Sequence, residues 1–163
     1  MKNTMTISIL AVGKIKEPFY QAAIQEFQKR LGRYVNLNIV EVDDEKTPDS
    51  AKENEQKLIK KKEAERLIKQ IRKEAYVIAL AIEGRMLDSV ELSEKIRLLG
   101  VNGKNHIVFI IGGSLGLSDE ILKQADFCLS FSKMTFPHQL MRIILLEQIY
   151  RSFRIMNHEP YHK

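Results

Sequence analysis

An α/β fold built on a parallel sheet is the class this sequence predicts, on three observations. Short aliphatic runs recur as candidate strands at residues 6–12, 76–82 and 106–111, stretches with helical apolar spacing lie between them, and glycine-bearing turns follow several of the runs. Strands that alternate with helices pair in parallel and are covered by helices on both faces. At 163 residues the chain is long enough to bury roughly 70% of its unfolded surface. It shows no repeat, no low-complexity tract and no linker, so one domain over residues 1–163 is expected.

Taken in order, residues 6–12 form a β-branched run that ends at Gly13 and reads as a buried strand. Behind Pro18, Phe19, Ala22, Ala23, Phe27 and Leu31 recur at helical spacing until Gly32. Val35, Leu37, Ile39 and Val42 alternate with Asn36, Asn38 and Glu41, which predicts a second strand with one exposed face. The acidic segment 43–50, with Pro48, reads as a loop. A charged helix is expected over about 51–73, with a thin stripe at Leu58, Ala64, Leu67, Ile68 and Ile71. Residues 76–82 give the third strand, Glu83-Gly84 a turn, and Asp88 with Glu91 a capping box for a helix to about Leu99. The run 106–111 is the most apolar strand. After the loop 112–116 come a short helix from near Ser118, a fifth strand over 127–131, a polar loop to Pro137 and a final helix over about 138–156.

Composition narrows the function. Hydrophobic residues make up 44% and charged residues 29%, which excludes a disordered chain, a collagen and a disulfide scaffold. No apolar run, including 107–111, approaches the ~18 residues of a membrane span, and the N-terminus lacks the pattern of a secretory signal. A lone cysteine, Cys128, makes no internal disulfide or metal cluster, so a reducing cytoplasm and a metal-free protein are expected. Net charge is +5. Residues 41–55 carry seven acids and two bases, whereas 57–74 carry eight bases and three acids. The basic block is either a solvated helix face or a surface for phosphates.

In a parallel sheet, ligands bind beyond the carboxyl ends of strands. Three loops stand there: Gly84-Arg85, the glycine loop 112–116, and 132–137. Gly-Gly-Ser-Leu-Gly matches neither G-x-G-x-x-G nor a P-loop, and a tight strand-to-helix turn explains it as well as a ligand does. The final helix is apolar nearly all round, which points to a homodimer with this helix at the interface; a central core helix is the other reading. His138 stands at its start, where the helix dipole favours a neutral imidazole able to accept a proton. Glu147 and Arg151 are spaced to pair, Arg142 and Arg154 extend a basic edge, and His106 and Cys128 read as structural.

Beyond periodicity, the sequence carries a signature. The opening Ile9-Leu10-Ala11-Val12-Gly13-Lys14 and the loop Ile110-Ile111-Gly112-Gly113-Ser114 belong to it. So above all does Leu129-Ser130-Phe131-Ser132-Lys133-Met134-Thr135-Phe136-Pro137-His138-Gln139, through to Pro160-Tyr161-His162-Lys163. These closely resemble the RlmH family, SPOUT-class methyltransferases that act on a pseudouridine of bacterial 23S ribosomal RNA. The resemblance spans essentially the whole chain.

It implies a SPOUT-type α/β domain with a C-terminal trefoil knot, an obligate dimer, and S-adenosylmethionine as methyl donor. By motif, Leu80, Gly112, Phe131, Ser132, Lys133, Met134, Thr135 and Phe136 would line the cofactor pocket. Methylation at N3 of a pyrimidine needs in-line positioning and removal of a proton, a task for His138 or His162, with Tyr161 stacking on or orienting the base. Arg142, Arg151, Arg154 and Lys163 would hold RNA phosphates. Attack by nitrogen requires no covalent cysteine. The modest charge favours a target met in the assembled ribosome, where rRNA and protein complete the site. A non-catalytic ribosome-binding factor, or a methyltransferase for another rRNA or tRNA site, is the alternative.

Overall fold

The structure is a computed structural model that describes residues 4–163. Ten elements follow in chain order: β1 (Thr6–Val12), α1 (Pro18–Leu31), β2 (Asn36–Val42), α2 (Glu53–Ile68), β3 (Tyr76–Met86), α3 (Ser89–Val101), β4 (His106–Ile111), α4 (Asp119–Gln124), β5 (Phe127–Ser130) and α5 (His138–Met156). The strands form one sheet in the order β2-β1-β4-β3-β5, and every neighbouring pair is parallel. The predicted α/β class with helices on both faces is what the chain adopts.

Alternation along the strands divides the core in two. Ile7, Ile9 and Ala11 of β1, with Ile107, Phe109 and Ile111 of β4, face α1, α3 and α5. Leu10 and Val12, with Val108 and Ile110, face α2 and α4. Both faces of the central strands are therefore apolar, as uninterrupted aliphatic runs require. Each side chain of this kind, fully withdrawn from water, contributes about 1.5–3 kcal/mol.

Local signals fix several boundaries. Pro18 begins α1, and both hydrogen bonds of the capping box at Asp88 and Glu91 are formed, at 2.7 and 3.0 Å. Ser118 caps α4 through the Ile121 N–H. Other expectations are corrected. The buried stripe of α1 runs through Ile24, Phe27 and Leu31, leaving Ala22 exposed and Phe19 66% exposed. α2 stops at Ile68, five residues early, because the chain must turn there to enter β3.

Glu83-Gly84 is not a turn that ends the third strand. Leu80 and Arg85 both pair with Leu129 of β5, so residues 81–84 leave the ladder and return to it. Gly84 is required at the return, since a Cβ there would lie 2.7 Å from the carbonyl oxygen of Cys128. α5 lies between α1 and α3 with none of its residues fully exposed. Leu145, Leu146, Ile149 and Phe153 are buried within the chain, whereas Leu140, Met141, Ile143, Ile144 and Ile155 on its other sides stay partly exposed.

Candidate functional site

Beyond the carboxyl ends of β3, β4 and β5 lies a cavity of about 750 Å³. Three segments wall it: the 81–83 excursion, the glycine loop after β4, and the chain from Phe131 into the first turn of α5. The glycine loop is closed on itself, with the Gly116 N–H donating to the Gly113 carbonyl at 3.0 Å. Gly116 has φ +82°, and Gly112 approaches the Gly116 backbone so closely that no side chain fits. Glycine is needed here to fold a strand end back beside a ligand space.

The structure brings Leu80, Gly112, Phe131, Ser132, Met134, Thr135 and Phe136 together around this cavity. Lys133 is exposed and does not line it, and neither does Arg85. Three charged residues that sequence reasoning did not single out do so: Lys60 of α2, Glu83 and Asp119. The run Lys60-Lys61-Lys62 was a visible signal for the first, whereas only the sheet register reveals the others.

His138 opens α5 and faces the cavity on one side and the β1 end on the other. Its Nε2 lies 3.9 Å from where a Cβ on Gly13 would stand. Burial, and then the Arg142 guanidinium, hold its pKa below the ordinary value, against an opposing pull from Asp44 and Glu17. The imidazole is therefore neutral at physiological pH, for reasons beyond the helix dipole. Burial and the Glu83 carboxylate push the Cys128 thiol upward, so it offers no thiolate nucleophile.

The tail is ordered against the other end of α5. Tyr161 meets Tyr150 edge-on at 4.9 Å between centroids, and the Arg151 guanidinium lies 4.7 Å from the Tyr161 ring. Arg151 donates to Glu147 at 2.6 Å and to Nδ1 of His162 at 3.1 Å. Arg154 donates to Glu159 and to the carbonyl of Pro160, while Tyr34 donates to Glu159 at 2.8 Å. From His138 to Arg151 is thirteen residues of helix, about 20 Å. Within one chain, His138 and the pair Tyr161 and His162 are not brought together.

The arginines differ from the expected basic edge. Arg142 is 2% exposed and bonded to Glu41 and to two backbone carbonyls, so it holds no external phosphate. Glu41 is 101 residues away, and no sequence signal links the two. Arg151 and Arg154 are half-buried in the pairs just described, and Lys163 is exposed. No helix among the described residues is long and apolar enough to cross a membrane, and no group of three or more potential metal ligands occurs among them.

Comparison with known proteins agrees with this geometry. The family described as "Predicted SPOUT methyltransferase" matches residues 5–162. Two proteins called "Ribosomal RNA large subunit methyltransferase H", from Clostridium kluyveri and Bifidobacterium adolescentis, are each 60% identical over 159 residues. Each alignment covers 98% of this chain and all of the relative. Among solved structures, "a probable methylase family protein" from Haemophilus influenzae superposes with a TM-score of 0.55 at 17% identity. It covers 96% of this chain and 70% of the other, a likeness of fold alone. With its parallel sheet, its glycine-walled cavity and relatives matched end to end, the chain belongs to the RlmH family of SPOUT methyltransferases.

Proposed function

We propose that this chain is an S-adenosylmethionine-dependent methyltransferase that modifies N3 of a pseudouridine in 23S rRNA, as a homodimer acting on the assembled ribosome. The observation that carries the reading is the cavity. Its 750 Å³ suits a nucleoside-sized cofactor, and it lies where open α/β sheets bind their ligands. The residues present fit the cofactor. Leu80, Phe131 and Phe136 offer an apolar bed for a purine ring, and Glu83 and Asp119 supply negative charge for a cation. The glycine loop allows close backbone approach. The rRNA substrate rests on the names of relatives 60% identical over nearly the whole chain. Trefoil threading through the cavity loops, expected of the family, belongs to the same proposal.

S-adenosylmethionine, when bound, supplies an electrophilic methyl group. The chain's residues must hold the target base in line with it and remove the N3 proton. His138, neutral and at the cavity wall, accepts that proton. Tyr161 and His162 orient the base, and because they sit about 20 Å along α5 from His138, they do so from a second copy. The exposed apolar side chains of Phe19 and Met134, 66% and 73% exposed at the carboxyl end of the sheet, support a partner there. Phosphate contact falls to the exposed Lys163 and Lys133 and to Lys60 at the cavity, while Arg151 and Arg154, each held in its pairs, support the tail that carries Tyr161 and His162.

The test supplies labelled S-adenosylmethionine with intact ribosomes, free large subunits or naked rRNA, all lacking the modification. Label in 23S rRNA from assembled particles alone, mapped to a pseudouridine, is expected. Label in naked rRNA removes the requirement for assembly. Cofactor binding without transfer to any RNA favours a ribosome-binding factor instead.

A further inference from the structure

Arg142 is a charged residue placed where charge is expensive. Its Nη1 donates to Oε2 of Glu41 at 2.5 Å, and its Nη2 donates to the carbonyls of Val12 at 3.1 Å and Gly13 at 2.5 Å. Its Nε is buried with no partner among the described residues. The carboxylate it meets is about one-third exposed, so the guanidinium carries most of the desolvation cost of the pair, which makes it a poor device for stability alone. What the guanidinium grips is more informative. Gly13 has φ +90°, and its N–H donates to the Val42 carbonyl at 2.8 Å, so both of its backbone polar groups are held. The His138 imidazole lies against this glycine. Arg142 is one helical turn beyond His138, on the same side of α5.

We propose that Arg142 is a positioning residue: it fixes the Gly13 backbone as the platform for the His138 ring and sets a permanent positive charge behind that ring. The inference rests on the reading that His138 takes part in proton transfer. Glu41 completes the device, because its Oε2 also accepts from the Ile15 N–H at 3.1 Å and thereby ties the β1–α1 loop to β2. The charged groups facing His138 are Arg142 from α5, Asp44 from the loop after β2, and Glu17 from the residue before α1. Only the first is cationic. It opposes protonation of the imidazole and keeps it available as an acceptor.

The test titrates the His138 imidazole by NMR in the ligand-free protein, assigned by its loss in His138→Gln, alongside single-turnover methyl transfer on ribosomal particles. Arg142→Met should raise the His138 midpoint by about half a unit or more. Arg142→Lys keeps the charge but not the two-pronged grip, so the midpoint should stay near wild type while the rate falls about tenfold or more. If Arg142→Met does not melt cooperatively, Glu41→Gln replaces it and should lower the midpoint, since the guanidinium charge is then uncompensated. A folded charge variant whose midpoint does not move, or Arg142→Lys with the full rate, overturns the proposal. His138→Gln with the full rate instead overturns the role of His138, whatever the midpoints do.

Discussion

Replacing Gly112 with alanine tests the cavity with the smallest possible change. The new methyl carbon would stand 2.6 Å from the carbonyl carbon of Gly116 and 2.7 Å from its oxygen. Both atoms are backbone and cannot rotate away. The loop must open by about 0.8 Å, the difference between 2.6 Å and ordinary contact at 3.4 Å. Overpacking of this kind costs about 1–3 kcal/mol. Expressed wholly in binding, it weakens cofactor affinity between about fivefold and 150-fold. Expressed in stability, each kcal/mol lowers the melting temperature by about 2–4 °C in a chain of this size. Calorimetric titration with S-adenosylmethionine, beside a thermal melt, reads both quantities. Gly103→Ala is the control: Gly103 has φ +82° with no atom near its missing Cβ, so that variant carries backbone strain of about 1 kcal/mol and should bind normally. A folded Gly112→Ala protein that binds the cofactor within about twofold of wild type would refute the assignment of this loop to the cofactor.

Three other outcomes are expected. His106 shares a 2.9 Å hydrogen bond with Ser8, and its pKa, like that of His138, is lowered first by burial and then by an arginine, here Arg72. Unfolded histidines take up protons near pH 6.5 and these two do so only at lower pH, so their contribution is complete above about pH 6.5 and is lost as pH falls through the folded values. Urea melts between pH 5 and 7.5 should show this acid limb, and His106→Gln should flatten it. If each active site takes His138 from one chain and the tail from the other, co-expressing His138→Ala with His162→Ala should restore about half the activity in the mixed dimer, one of its two sites being intact. Two sites each built within one chain would leave the mixture dead. Lys60→Ala should lower the salt dependence of ribosome binding by about one counterion and leave cofactor affinity unchanged. A change in cofactor affinity would move Lys60 to the cofactor's side of the cavity.

The core strands were legible because aliphatic runs such as residues 106–111 have no other stable placement, and α5 was legible over its whole length, from Pro137 to Asn157. The end of α2 was not. Lys69 and Gln70 are good helix formers, and the stop comes from the need to bring Tyr76 alongside Ile107 of β4. The excursion at 81–84 carried a turn signal in Gly84, but only the second pairing with Leu129 shows that the chain returns to the sheet. Leu80, Gly112, Phe131, Ser132, Met134, Thr135 and Phe136, which line the cavity, were named by motif and not by periodicity. Arg142 was misread because an arginine beside other basic residues on a helix looks like an edge, while its partner Glu41 lies on a strand far away in sequence. The tail lacks periodicity, and its order comes from ring contacts and arginine pairs that only the folded α5 presents.

The doubled pairing of Leu129 gives the protein a wall that can be exchanged. Because Leu80 and Arg85 are anchored to the same residue of β5, residues 81–84 form a small closed span whose ends do not depend on what lies between them. Lengthening such a span adds only slowly to its closure entropy, by about 0.6 kcal/mol per doubling. Ala81, Ile82 and Glu83 line the cavity, whereas Gly84 carries the close contact with β5. Variation in the first three, in identity or number, can therefore reshape the pocket while the strand register and the core beneath stay as they are. Shape at the site and stability of the sheet are in this way open to separate adjustment, whether by selection or by design.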